Sequence, residues 1–161
     1  MEFPWESELA DLLGDLLAVQ GRLLAVVGRK RQCLMDGDLE GLSGIGQEEE
    51  ELLSALHDCV TRRESLLQRA KEDGMPNRNI RTLAAALPQA SRGRLASEVR
   101  EASHRARLLQ HQSLTNWVVI QRTLLHLSQM IEIIATGGQL QPTYGGGASA
   151  QSNGKLVDQA A

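Results

Sequence analysis

His104 and His111 stand seven residues apart. On a helix that spacing puts both rings on one face. A paired-ligand metal site usually uses a spacing of about four, with a carboxylate near; this pair reads instead as part of a solvated face. His57, next to Asp58, reads as a surface residue. Cys33 and Cys59 have no close spacing, and both fall on apolar helix positions. They read as buried free thiols in a reducing compartment, not as a disulfide or a metal pair. The chain carries no phosphate loop, no Gly-x-Ser-x-Gly, no Cys-x-x-Cys and no His-Glu-x-x-His. The Glu-x-x-His pair of a di-iron bundle is also missing. These residues offer no catalytic group, no metal site and no cofactor site. The chain reads as a non-enzyme.

What remains is interaction chemistry, and composition bounds it. The 161 residues suffice for one domain. The aromatics are only Phe3, Trp5, Trp117 and Tyr144. Leu, Ala, Glu, Arg and Gln dominate, as in long-helix proteins. No alternating β-branched run predicts a sheet. The net charge of −3 hides an asymmetry. Residues 1–58 hold 13 acidic and 4 basic side chains, and residues 59–161 hold 7 and 13. The basic residues are spread along helical stretches without interleaved aromatics, so no nucleic-acid footprint is expected. The start has no basic n-region and no uninterrupted apolar core, so nothing marks a signal peptide. Residues 117–134 are long enough to tempt a membrane assignment. Gln121, Arg122, His126, Gln129 and Glu132 argue against stable insertion. A soluble, cytoplasmic protein is expected.

The helical pattern supplies the positioning elements. A first helix should start near Trp5 or Glu6, after Pro4. Its stripe runs through Leu9, Leu12, Leu13, Leu16, Val19, Leu23, Val26, Val27, Cys33 and Leu34. Asp36-Gly37-Asp38 ends it: Gly37 can take the left-handed cap and Asp38 can cap the next helix. A second helix begins at Asp38. Gly41, Gly44 and Gly46 predict a frayed or mobile turn there, since each costs about 1 kcal/mol against Ala. The run Glu48-Glu49-Glu50-Glu51 reads as a solvated face beside a basic neighbour. Asp73-Gly74-Met75-Pro76-Asn77 stops the second helix. Residues 80–87 read as a short helix closed by Pro88, and Ser91 is a plausible cap for the third long helix.

The third helix, over residues 91–135, organises the rest. Its seam is Leu95, Val99, Ala102, Ala106, Leu109, Ser113, Trp117, Ile120, Leu124, Leu127, Ile131 and Ile134. The steps alternate between three and four, with one stutter at Ser113–Trp117. Trp117 is expected to pack in the core. From 117 to 134, 11 of 18 residues are apolar and only Arg122 and Glu132 are charged. Apolar residues therefore lie on more than one face, which calls for more than one partner. The predicted fold is all-α: an elongated up-down-up three-helix antiparallel bundle or coiled coil with a short connecting helix. Arg92, Arg94, Arg100, Arg105 and Arg107 should lie beside Glu6, Glu8, Asp11 and Asp15. Residues 1–136 would form the helical domain. Residues 137–161 hold 6 of the 15 glycines and should form a disordered tail. Tyr144, a lone aromatic in it, is either uncommitted or a docking anchor.

The Leu-rich first helix, the Gly37-Asp38-Leu39-Glu40-x-Leu42 step into an acidic second helix, and a long third helix with Leu108, Leu109, Gln112 and Leu114 form a recognisable set. With the tail's Tyr144-Gly145 and Leu156-Val157-Asp158, the chain resembles FlgN-type flagellar export chaperones over most of its length. Gly146-Gly147 follow Tyr144-Gly145 where that family often has Pro, and Gln112 stands where it often has Asn. The resemblance implies a chaperone of flagellar type III secretion. It would hold hook–filament junction proteins, keep them soluble, and deliver them to the export gate and its export ATPase complex. On this reading Leu114, Val118, Val119, Leu125, Met130 and Ile133 bind an amphipathic helix of the client. Tyr144 and Gly145 dock on the cytosolic domain of the gate. The competing reading is a structural coiled-coil adaptor, or a homodimer through the third helix.

Overall fold

A computed structural model describes residues 4–137 of the chain. Four helices follow one another: α1 (Pro4–Asp36), α2 (Leu39–Glu72), α3 (Ile80–Ala85) and α4 (Gln89–Thr136). The described residues contain no strand. The chain divides into two compact units, Met1–Gln121 and Arg122–Ala161.

The predicted breaks have clear local causes. Gly37, at φ +68°, takes the left-handed conformation that ends α1. The Asp38 amide donates to the Cys33 carbonyl at 2.9 Å, and its carboxylate accepts from the Gly41 amide at 2.8 Å. One residue thus closes one helix and caps the next. Gly74, at φ +71°, ends α2 the same way, with the Met75 amide donating to the Ala70 carbonyl at 2.8 Å. Asn79 and Thr82 form a reciprocal capping box that starts α3.

Two local expectations are corrected. α2 runs without a break through Gly41, Gly44 and Gly46. Gly41 has a packing reason: a Cβ there would stand 2.9 Å from Cys33 Sγ and 2.9 Å from Asp38 Cγ. The first turn of α2 needs a glycine so that the cap can close over it. Ser91 is not the cap of α4. That helix begins at Gln89, where the Pro88 carbonyl accepts from the Ser91 and Arg92 amides. Ser91 instead donates its hydroxyl to Glu6 on α1.

Within the first unit the helices form an up-down-up bundle. Arg69 pairs with Glu8, Arg62 with Asp15 at 2.6 Å, and Lys30 with Glu49 at 2.7 Å. As partner numbers rise on α1 they fall on α2, so the two run antiparallel. Residues 6, 17, 20 and 27 of α1 bond residues 91, 105, 102 and 116 of α4. From residue 6 to residue 27 of α1 the partners move from 91 to 116 on α4, with only the long Arg105 side chain reaching back out of order, so α1 and α4 run parallel.

The core gathers in two clusters. One joins Leu9 and Leu13 to Leu66 and Ala70, to Leu83, Ala84 and Leu87, and to Leu95 and Val99. The other joins Leu23 and Val26 to Ile45 and Leu52. Full burial of each large side chain contributes about 1.5–3 kcal/mol, which makes these clusters the main stabilising term. α3 and Leu87 hold their place through the first cluster.

The electrostatic partnering differs from expectation. Glu8 and Asp15 pair with Arg69 and Arg62 of α2, not with arginines of α4. Arg94 and Arg105 of α4 pair with Glu98 and Glu101 on their own helix. The acidic run on α2 meets α1 as expected, with Glu48 bonding Arg29 and Glu49 bonding Lys30.

Candidate functional site

The α1–α4 interface is more polar than its sequence pattern suggested. Gln20, 4% exposed, donates its amide to the Ala102 carbonyl at 3.1 Å. Asn116, 5% exposed, donates to the Val27 carbonyl at 3.0 Å. Arg105 reaches across α1 to the Leu17 carbonyl at 2.8 Å. It can do so because Gly21 leaves room: a Cβ there would meet the guanidinium at 3.3 Å. Gln20 Oε1 and Asn116 Oδ1 are buried and accept no hydrogen bond among the described residues.

Asn116 corrects the placement of Trp117. Trp117 is 56% exposed, not packed in the core. The sequence pattern skipped Asn116 because it is polar, and so needed a stutter to reach an apolar residue. The buried and half-buried positions run through Leu109, Gln112, Asn116 and Val119, in steps of three, four and three, while Ser113 on the expected seam is exposed. The neighbour of Asn116 is then turned outward. Ala106 on the expected seam is also exposed, and Leu109 is half-buried.

The residues expected to bind a client divide between the two units. In the first, Leu114 is exposed, Val118 is marginally exposed and Val119 is half-buried. In the second, Leu125, Met130 and Ile133 are all exposed. Leu124, Leu127, Ile131 and Ile134, assigned to the seam by sequence, are exposed as well. No residue from 117 to 137 is buried. Such a run of apolar exposure usually marks a surface that binds something. Tyr144 and Gly145 lie outside the described residues.

The ionisable groups show stabilising roles. Arg69's hydrogen bond holds Glu8 below its ordinary 4.5, and the same contact raises Arg69. Asp15 raises Arg62 in the same way. Burial pushes the Cys59 thiol above its usual range, which makes it a poor nucleophile. Both cysteines are free; Cys59 is buried and Cys33 half-buried. No group of three or more potential ligands among the described residues could hold a metal ion. By length and composition alone, residues Ser91–Thr136 would pass for a membrane span. Arg122, His126 and Glu132 would then sit in hydrocarbon, and none of them forms an ion pair among the described residues.

A family model described as FlgN protein matches residues 1–152 of the chain. The chain belongs to the FlgN family. That family consists of flagellar type III export chaperones, soluble cytoplasmic factors that bind export clients and the export apparatus, and it is not known for enzymatic activity. No curated protein and no solved structure matches the chain. For a FlgN-family chaperone, an all-helical scaffold with exposed apolar side chains on one long helix is a reasonable instrument.

Proposed function

We propose that this chaperone binds hook–filament junction proteins, keeps them soluble and delivers them to the flagellar export gate. The observation that carries the reading is the exposure of apolar side chains on α4 in a FlgN-family chain. Leu114 and Val118 in the first unit, and Leu125, Met130 and Ile133 in the second, are the contacts; Val119 contributes from a half-buried position. The client contributes an amphipathic helix, whose apolar face matches such a surface. Tyr144, with Gly145, serves as the anchor for the cytosolic domain of the gate during a transient visit to the export apparatus and its ATPase complex. A Gly-rich sequence of low apolar content makes a weak contact, because ordering entropy opposes its binding; delivery needs a contact that can be released.

Val118→Asp with Leu125→Asp tests the client surface. Purified junction protein should no longer be retained by the variant, while circular dichroism stays helical. Retained binding removes the assignment, and unfolding shows that these residues serve the fold. Tyr144→Ala should lower export several-fold and leave client affinity unchanged. Normal export by that variant, or a lost client, contradicts the division between helix and tail. Light scattering after size exclusion examines the competing reading. A permanent dimer that these aspartates dissolve would make the apolar face a homodimer interface.

A further inference from the structure

An open groove of about 600 Å³ lies in the first unit, among α1, α2, the α3 entry and α4. Leu12, Leu16, Cys59, Val60, Leu67 and Ala106 give it an apolar lining. That volume lies within the roughly 300–1,000 Å³ typical of ligand sites, so it admits a few apolar side chains. Gln20 also lines it. Its buried amide nitrogen is held by the Ala102 carbonyl, but its oxygen accepts nothing among the described residues.

The rim carries one sign of charge. Arg63, Arg78 and Arg81 line the groove, and no Asp or Glu does. All three are exposed. Among the described residues none of them forms an ion pair, whereas Arg62 and Arg69 on the same helix as Arg63 are both paired. An amphipathic helix with carboxylates along its flank fits this charge and this lining. The chain's own residues 138–161 fit poorly, with Asp158 as their single acid and Lys155 close to it. The exposed apolar segment of a second copy fits poorly too, since residues 117–134 hold one Arg and one Glu.

We propose that this groove is a second docking surface, separate from the proposed client contacts on α4, for an acid-flanked amphipathic helix of a partner protein. Two or three apolar side chains enter between Leu16 and Ala106. A hydroxyl or amide in that face donates to Gln20 Oε1. Flanking carboxylates meet Arg63, Arg78 and Arg81.

Two stapled helical peptides test this, read by fluorescence anisotropy with the full chain. Both carry Leu at i, i+4 and i+7 with a Ser among them; one has Glu flanks, the other Lys flanks. The Glu peptide should bind the wild type and the Val118→Asp/Leu125→Asp variant alike, which separates this groove from the proposed client surface. The Lys peptide should bind at least about tenfold more weakly, as like charge at the rim requires. Arg63→Glu with Arg81→Glu should weaken the Glu peptide by about tenfold, each exposed charge contributing modestly. Ala106→Trp, which fills the groove, should remove binding with an unchanged circular dichroism spectrum. If it unfolds the protein, the exposed arginine pair decides alone. Equal binding of both peptides overturns the proposal. So does loss of the Glu peptide in the aspartate variant, or indifference to the arginine changes. Tighter binding after deletion of 138–161 would show the groove to be filled by the chain's own tail. Self-association abolished by Arg63→Glu would show a second copy there. Either result also overturns the proposal.

Discussion

Residues 95–116 and 122–134 belong to the same helix, and they meet opposite fates. The first stretch is rich in Arg, His, Gln and Ser, yet it buries Leu95, Val99, Ala102 and Asn116. The second is far more apolar and buries nothing. Burial here follows the availability of partners, not hydrophobicity. Around residues 95–116 stand α1, α2 and α3, which offer Leu9, Leu13, Leu66 and Leu83. Among the described residues, Leu124, Leu125, Ile131 and Ile134 meet no such cluster. A polar residue enters the interface when a backbone carbonyl waits for it, as Val27's does for Asn116. An isoleucine stays in water when nothing is offered. A globular protein ordinarily does not leave such a patch exposed, and it is where we propose that the client binds.

The largest contrast should appear in stability. Leu95→Ala removes a fully buried side chain and should cost about 2–5 kcal/mol, by lost burial and the cavity left behind. Leu125→Ala and Ile134→Ala should each change stability by less than about 0.5 kcal/mol. Urea unfolding monitored by circular dichroism checks all three. A large loss at Leu125 would erase the distinction between the two stretches.

Asn116 sharpens the comparison. Asn116→Ala should cost about 1–3 kcal/mol, since it removes a buried hydrogen bond. Asn116→Leu should recover part of that, because its side chain refills the volume that Ala leaves empty. If Asn116→Leu is no better than Ala, the amide is needed for geometry and not only for pairing. Trp117→Ala, one residue on, should change stability by less than about 0.5 kcal/mol. Its indole fluorescence should shift to the blue when a client is added, provided that the apolar face of α4 is the client's seat.

The smallest effect is electrostatic. Glu8 is held below its ordinary 4.5 by Arg69. Its stabilising contribution is therefore fully present above that pH and is lost as pH falls through the lower folded value. Wild type and Glu8→Gln should differ slightly in urea midpoint at pH 7 and converge in strong acid. The pair is exposed on both sides, so screening by salt should shrink the difference further. A difference rivalling that of Leu95→Ala would mean that charge, not burial, orders the first unit.

The helices and their ends are local properties of the chain. Gly37 and Gly74 stop helices because a left-handed residue without a Cβ is easily accommodated there. Asp38 caps because its carboxylate reaches the Gly41 amide. Leu9, Leu13, Leu23 and Val26 share a stripe because the helix repeats every 3.6 residues. Each of these is settled within a few residues of sequence, and the apolar excess of 117–134 was legible for the same reason. Which side chains find partners was settled by tertiary packing alone. A glycine run that should weaken α2 is tolerated, and at Gly41 required, because Cys33 and Asp38 close over it. Glu8 and Asp15 choose arginines on α2 because that helix presents them within reach. Asn116 displaces Trp117 from the buried stripe because a carbonyl 89 positions earlier in the chain accepts its amide. The pairing that decides such cases depends on groups far apart in sequence, and periodicity within one helix carries no record of them.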